Sequence, residues 1–307
     1  MRSNDIIIPD YYCEKVLRIF RTDGANWLEN APYLLEDFIK RWELTNCRME
    51  QNLSIHLIFY AYSPRYGNVV LKAGVPHREL FTGIDALQHY NGKNACKLFE
   101  VDREHGIMLL ERIPGIRLKD EPDFTKRIMA GVKLAKELPG KVYGQHGFPY
   151  YKNQMLQAFD RTRKEKRAAC EFIDMLDNAQ ELHKEIEQDK DPDFLLHGDL
   201  HHENIMKDAS GNWKVIDPQG RIGQRCLEPG RFLLNEWDWF KGNGDMEHMT
   251  KCIDAFAATL GESRRTIVIS CFLDYALSSC WKLEDGGNPD DIIKATRQMK
   301  ILLELLG

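Results

Sequence analysis

The sequence predicts an α+β protein of two lobes, a small β-rich N-terminal lobe over residues 1–112 and a larger, mainly helical C-terminal lobe over 113–307. Two observations carry this. Short β-branched and aromatic runs, broken by turn residues, crowd into 52–113, and most of the chain beyond them repeats its apolar residues at helical spacing.

In chain order, N-L-S-I-H-L-I-F-Y-A-Y (52–62), the turn-prone S-P-R-Y-G-N (63–68) and V-V-L-K-A (69–73) read as a β-hairpin. A helix follows from about Pro76, with Leu80, Phe81, Ile84 and Leu87 on its apolar face. Two further strands are expected near 96–101 and 107–112, ended by P-G at 114–115. Beyond them, Ile128, Met129, Val132, Ala135 and Leu138 share one helical stripe, and Met249, Ile253, Phe256 and Leu260 another. The charged stretch 151–188 carries Phe159, Phe172, Leu176 and Leu182, as one or two amphipathic helices would; K-E-K-R at 164–167 reads as a solvated helix face. One strand is expected near W-K-V-I-D (213–217).

Hydrophobic residues at 43% and charged residues at 29% argue against a disordered chain. A net charge of −5 offers no footing for nucleic acid and is compatible with a cationic ligand. The eight cysteines include no C-x-x-C pair and no zinc spacing, which argues against a structural metal. The N-terminal M-R-S-N-D-I-I-I-P-D lacks the pattern of a signal peptide, and no apolar run is long enough to cross a bilayer. The expectation is a cytoplasmic protein with reduced thiols and no membrane partner.

The chemistry-bearing segment is L-L-H-G-D-L-H-H-E-N-I-M (195–206), followed by W-K-V-I-D-P (213–218). Phosphoryl transfer to a hydroxyl needs a carboxylate beside the incoming oxygen and oxygen ligands to hold Mg²⁺ on the phosphates. H-x-D-x-x-x-x-N supplies Asp199 and Asn204 on one loop, and Asp217 ends an apolar strand a dozen residues later. Each fragment alone is an ordinary turn. In this order and at this spacing they point to a kinase.

These motifs resemble those of the aminoglycoside phosphotransferases, and within them the streptomycin-kinase and hydroxyurea-phosphotransferase group. That group's H-G-D-L-H-x-x-N and I-D-P-x-G-x-x-G stand here at 197–204 and 216–223, with R-W-E-L (41–44), L-K-A-G (71–74) and L-L-E-R-I-P-G (109–115) alongside. The resemblance implies a protein-kinase-like fold, with ATP and Mg²⁺ bound in the cleft between the lobes. It implies Asp199 as catalytic carboxylate, Asn204 and Asp217 as magnesium ligands, and Lys72 as the lysine on the α- and β-phosphates. The backbone from Glu111 to Ile113 would hydrogen-bond the adenine edge. It also implies a structural His197 and a bracing Glu228. The hairpin 63–68 lacks the G-x-G-x-x-G of protein kinases, and no D-F-G or A-P-E frames an activation loop. Gly83 stands where the family places the glutamate that pairs with the lysine. Either Glu79, one turn earlier, substitutes for it, or the alignment of this helix is shifted, or the pair is absent.

The acceptor implied is a small molecule with a hydroxyl, led by a streptomycin-like aminoglycoside. A kinase of another metabolite hydroxyl is the alternative, and a nucleotide-binding pseudokinase is the alternative from another class. N-E-W-D-W-F (235–240) could offer Glu236 and Asp238 to a cation beside Trp237 and Trp239, or be an amphipathic helix with its tryptophans in the core.

Overall fold

Tyr12, Val16, Gly24, Trp27, Ala31, Leu35 and Phe38 recur at steps that average a helical turn, and they form the buried stripe of a long helix, α1 (Asp10–Arg41), kinked at Arg21. The computed structural model describes residues 6–164, 169–188, 194–239 and 246–306. It divides into two units, Met1–Pro114 and Gly115–Gly307.

In the first unit α1 is followed by β1 (Thr45–Met49), β2 (Leu57–Ser63), β3 (Gly67–Ala73), α2 (Arg78–Tyr90), β4 (Leu98–Asp102) and β5 (Ile107–Glu111). The strands form one antiparallel sheet in the order β1-β2-β3-β5-β4. Strand alternation sorts the side chains. Leu57, Phe59, Ala61, Val69, Leu71, Ala73, Ile107 and Leu109 join the α1 stripe in a single core. Lys72, in register with Ile58 and Met108, belongs to the opposite face. Burial of a large apolar side chain contributes about 1.5–3 kcal/mol. Several of these on α1 outweigh the propensity losses of about 1 kcal/mol at Gly24 and about 3 kcal/mol at Pro32.

The second unit runs α3 (Phe124–Glu137), β6 (Gly140–Lys141), α4 (Tyr151–Lys164), α5 (Cys170–Gln188), β7 (Phe194–Leu196), β8 (Ile205–Lys207), β9 (Trp213–Val215), β10 (Arg221–Gly223), α6 (Pro229–Trp239), α7 (Met246–Leu260), α8 (Arg264–Glu284) and α9 (Pro289–Leu306). At its centre α8 packs against α4, α5, α6, α7 and α9. Every residue from Ile267 to Leu277 is buried. Gly230 lets α6 approach closely, since a Cβ there would lie 2.6 Å from the Ser270 carbonyl oxygen. The short strands pair as β10-β7-β6 and as the hairpin β8-β9.

The predicted hairpin is β2–β3, and the helix after Pro76 is α2. The expected pair of strands is β4–β5, and 151–188 holds two helices, α4 and α5. Residues 165–167 of the K-E-K-R run lie outside the described residues. Met129, counted in an apolar stripe, is 57% exposed on α3. All eight cysteines are free thiols. Among the described residues no helix is long and apolar enough to cross a membrane.

Candidate active site

The loop after β7 begins at Gly198, whose φ of +79° suits glycine and whose missing side chain makes room for Arg221, 3.0 Å from where a Cβ would stand. The buried carboxylate of Glu228 accepts hydrogen bonds from the backbone N–H of His197 (2.7 Å) and of Gly198 (3.3 Å). Burial pushes Glu228 up to about 7 in spite of those two donors. His197 Nδ1 accepts from the Asp199 N–H at 3.2 Å, so the ring proton sits on Nε2 and is donated to the Ile216 carbonyl at 3.0 Å. Burial pushes His197 down to about 4. A neutral ring with both nitrogens engaged holds the loop and leaves neither nitrogen open for proton transfer.

Asp199 is half-buried. Its Oδ2 lies 3.2 Å from Asn204 Nδ2 and 3.4 Å from His201 Nε2, and its Oδ1 lies 3.4 Å from Arg231 Nε. His201 Nδ1 accepts from the Glu203 N–H at 3.3 Å, which leaves the ring proton on Nε2, a nitrogen 3.4 Å from Asp199 Oδ2 and 3.1 Å from Asn204 Nδ2. Burial alone would raise Asp199. The His201 hydrogen bond and the Arg231 charge outweigh it and hold the carboxyl well below its ordinary range. The group is ionised at neutral pH.

Asn204 and Asp217 are brought together by backbone. In the β8–β9 hairpin Ile205 pairs with Val215, and one step on, the Ile216 N–H donates to the Asn204 carbonyl at 2.8 Å. Asp217 comes next, at a φ of +57° that few residues other than glycine, asparagine and aspartate tolerate. Asn204 Nδ2 donates to Asp199 O (3.1 Å) and Oδ2, while among the described residues Oδ1 accepts no hydrogen bond. A spare amide oxygen and a carboxylate at one hairpin end suit a hard, oxygen-seeking cation that completes its shell from phosphates and water.

A second polar cluster lies behind this loop. His202 donates to Glu236 Oε2 at 2.6 Å, Arg127 donates to Glu236 Oε1 at 2.9 Å, and His248 lies 3.2 Å from the same Oε1. Burial keeps His202 below its usual range, so it meets the carboxylate as a neutral donor. Glu236 is fully buried in this network, so it does not present a carboxylate to an acceptor. Trp237 is also in the core, edge-on to Tyr275. The side chains of Asp238 and Trp239 lie outside the described residues.

The His202 ring stacks on Phe232 at 4.1 Å, and Phe232 in turn fills the space beside Gly131 of α3, where a Cβ would stand 2.4 Å from the ring. Gly131→Ala is expected to lower Tm. Overpacking costs about 1–3 kcal/mol, more than the roughly 0.5–1 kcal/mol that alanine gains in a helix. A thermal melt showing equal or higher Tm would mean that Phe232 yields freely.

In the first unit Lys72 is buried on β3. The Glu111 N–H donates to Lys97 O at 2.8 Å and the Arg112 N–H to Asn68 O at 3.4 Å, whereas the Ile113 N–H meets no acceptor among the described residues. Glu79 is exposed in the first turn of α2 and Gly83 is half-buried one turn later. Arg231 and Asp274, which lies 3.2 Å from Arg231, were not singled out from the sequence. No local motif joins them to Asp199; only the packing of α6 on α8 does.

The family model for the aminoglycoside/hydroxyurea antibiotic resistance kinases matches residues 67–286. A streptomycin 6-kinase of Streptomyces glaucescens is 23% identical over 288 residues, covering 92% of this chain and 93% of its own. A hydroxyurea phosphotransferase of Kitasatospora aureofaciens is 24% identical over 311 residues, covering 98% and 86%. Among solved structures, the choline kinase LicA of Streptococcus pneumoniae superposes with a TM-score of 0.65 at 14% identity, over 90% of this chain and 99% of that one. A thermostable mutant of the aminoglycoside phosphotransferase APH(4)-Ia, in a ternary complex with ADP and hygromycin B, gives 0.63 at 14% identity, over 87% and 97%. With more than half of its length matched and the kinase-like fold in place, this chain belongs to the aminoglycoside/hydroxyurea antibiotic resistance kinase family and is a phosphotransferase.

Proposed function

We propose that the chain transfers the γ-phosphate of ATP to a hydroxyl of a small molecule, with Asp199 receiving the hydroxyl proton. The observation that carries this is an ionised Asp199 whose Oδ2 is pinned by Asn204 and His201. Its Oδ1 has only a 3.4 Å contact to Arg231 Nε, and that nitrogen forms no hydrogen bond among the described residues. Oδ1 is thus placed to take the O–H of an acceptor. As the acceptor oxygen bonds to phosphorus, the bond from phosphorus to the bridging oxygen breaks and its electron pair leaves with ADP. Asn204 Oδ1 and the Asp217 carboxylate would hold magnesium, which supplies charge neutralisation on the phosphates. Lys72 neutralises the α- and β-phosphates. The carbonyl of Glu111 and the free N–H of Ile113 offer an acceptor and a donor to the adenine edge.

For the acceptor, similarity to the streptomycin 6-kinases favours a streptomycin-like aminoglycoside. The burial of Glu236 removes one carboxylate that such a polycation would use, and this favours a second reading in which the acceptor is less charged, as hydroxyurea is. ATP consumption with each compound, and mass spectrometry for a phosphorylated product, separates the two readings. No product from either would exclude both.

The metal assignment has its own test. Asp217→Ala is expected to weaken binding of Mg-ATP by about tenfold or more and to leave metal-free ATP binding nearly unchanged. Equal losses in calorimetry with and without Mg²⁺ would make Asp217 a turn residue only.

A further inference from the structure

Two arginines lie near Asp199, Arg221 buried and Arg231 half-buried, and they are used differently. Arg221 is spent inside the fold, over the Trp281 ring at 4.7 Å and bonded to Gln219. Arg231, near the start of α6, has a side chain 20% exposed. Its Nε faces two carboxylates, Asp274 Oδ2 at 3.2 Å and Asp199 Oδ1 at 3.4 Å. Among the described residues its terminal Nη1 and Nη2 groups donate to nothing. A guanidinium kept for structure spends its terminal fork on a carboxylate, where two parallel bonds form. Here the carboxylates hold the stem side and the fork is left over. Asp274 itself is 5% exposed in the buried middle of α8, and its Oδ2 makes no hydrogen bond among the described residues. A buried carboxylate in that state is stabilised mainly by the arginine charge beside it, and it fixes the guanidinium in return.

What the fork faces follows from the reading of Asp199 given above, on which this inference rests. An acceptor hydroxyl bonded to Asp199 Oδ1 has the phosphoryl group one bond away in the transition state. A cation so close repels a positively charged acceptor group. It attracts the phosphoryl group, whose charge spreads over three equatorial oxygens that a planar fork can match. We propose that Arg231 is a catalytic residue of the transfer, donating from its terminal amino groups to the non-bridging oxygens of the phosphoryl group in flight, with Asp274 as the positioning residue that holds the guanidinium. The bonds made and broken are those already given; Arg231 contributes hydrogen bonds and charge and exchanges no proton.

The test uses the full chain and two readouts. In turnover with Mg-ATP and streptomycin, Arg231→Gln is expected to lower kcat about 10²–10³-fold while the streptomycin KM stays within about threefold. Arg231→Lys should recover part of the loss, and Asp274→Asn should fall between wild type and Arg231→Gln at unchanged KM. In calorimetry, aluminium fluoride, which mimics the phosphoryl group in transit, should tighten Mg-ADP binding to wild type. Arg231→Gln should lose that tightening while keeping its affinity for Mg-ADP alone. An unchanged kcat with the tightening retained would overturn the proposal. So would a rise in streptomycin KM at constant kcat, which would make Arg231 an acceptor-binding group. If wild type shows the tightening but does not turn over streptomycin, the acceptor is wrong, and the loss or retention of tightening in Arg231→Gln decides the proposal alone. If wild type shows neither, the kinase reading fails and the proposal falls with it.

Discussion

Asp199→Asn is expected to lower kcat by about 10²–10⁴-fold, the usual cost of losing a general base. The substitution is nearly isosteric. Asn204 Nδ2 can still donate to the Asp199 backbone carbonyl at 3.1 Å, and His197 and Glu228 still hold the loop through backbone bonds. What disappears is the negative charge and the place for the proton. Affinity for Mg-ATP, measured by calorimetry, should change by no more than a few-fold, because the nucleotide contacts are assigned to other residues. Turnover within a few-fold of wild type would remove Asp199 from the proton-accepting role.

The largest stability effect is expected at Glu236. Glu236→Ala strips the carboxylate from Arg127, whose side chain is 5% exposed, and from the fully buried His202. Breaking a buried charge pair by removing one partner costs about 3–5 kcal/mol. Arg127 keeps its bonds to the Glu121 and Pro122 carbonyls, which temper the loss without replacing the charge. In a unit of this size the melting point should fall by about 6–20 °C. A drop of less than about 1 kcal/mol would mean that water takes the place of the carboxylate. The pH dependence has a definite sign. Burial opposes ionisation of Glu236, but hydrogen bonds from His202 and Arg127 prevail and lower it from 4.5 to about 2. Its contribution to stability is therefore complete above the unfolded value and is lost as pH falls from 4.5 toward 2. The variant should show a flatter stability curve across that window.

How much of this was legible in the sequence depended on distance along the chain. Asp199, Asn204 and Asp217 are linked by one loop and one hairpin, so their spacing carried the geometry. The kinase-like fold followed from the motifs they form. Glu236 could be read either way, because a Glu beside tryptophans looks the same whether it faces solvent or Arg127, more than a hundred residues away. Helix α1 was hidden by Gly24 and Pro32, which read as punctuation although the apolar steps run through them. Helix α8 was hidden for the opposite reason: a helix buried all round has no polar face to mark its period. The strands β7, β8 and β10 are three residues each, too short for alternation to register. Glu79, one of the three alternatives for the missing glutamate, is exposed in the first turn of α2.

The contact at Gly230 gives the site a ruler. A glycine placed so that even a methyl group would intrude on the Ser270 carbonyl sets the separation of α6 and α8 at backbone tolerance. Arg231 is the next residue on α6, and Asp274 stands one helical turn along α8 from Ser270. The separation of the two backbones that carry these charges is thus set by close contact at Gly230. Gly230→Ala would act as a shim a few tenths of an ångström thick, moving the guanidinium while leaving every charge in place. Charge variants at Arg231 report whether the cation matters; this one reports how closely it must be placed.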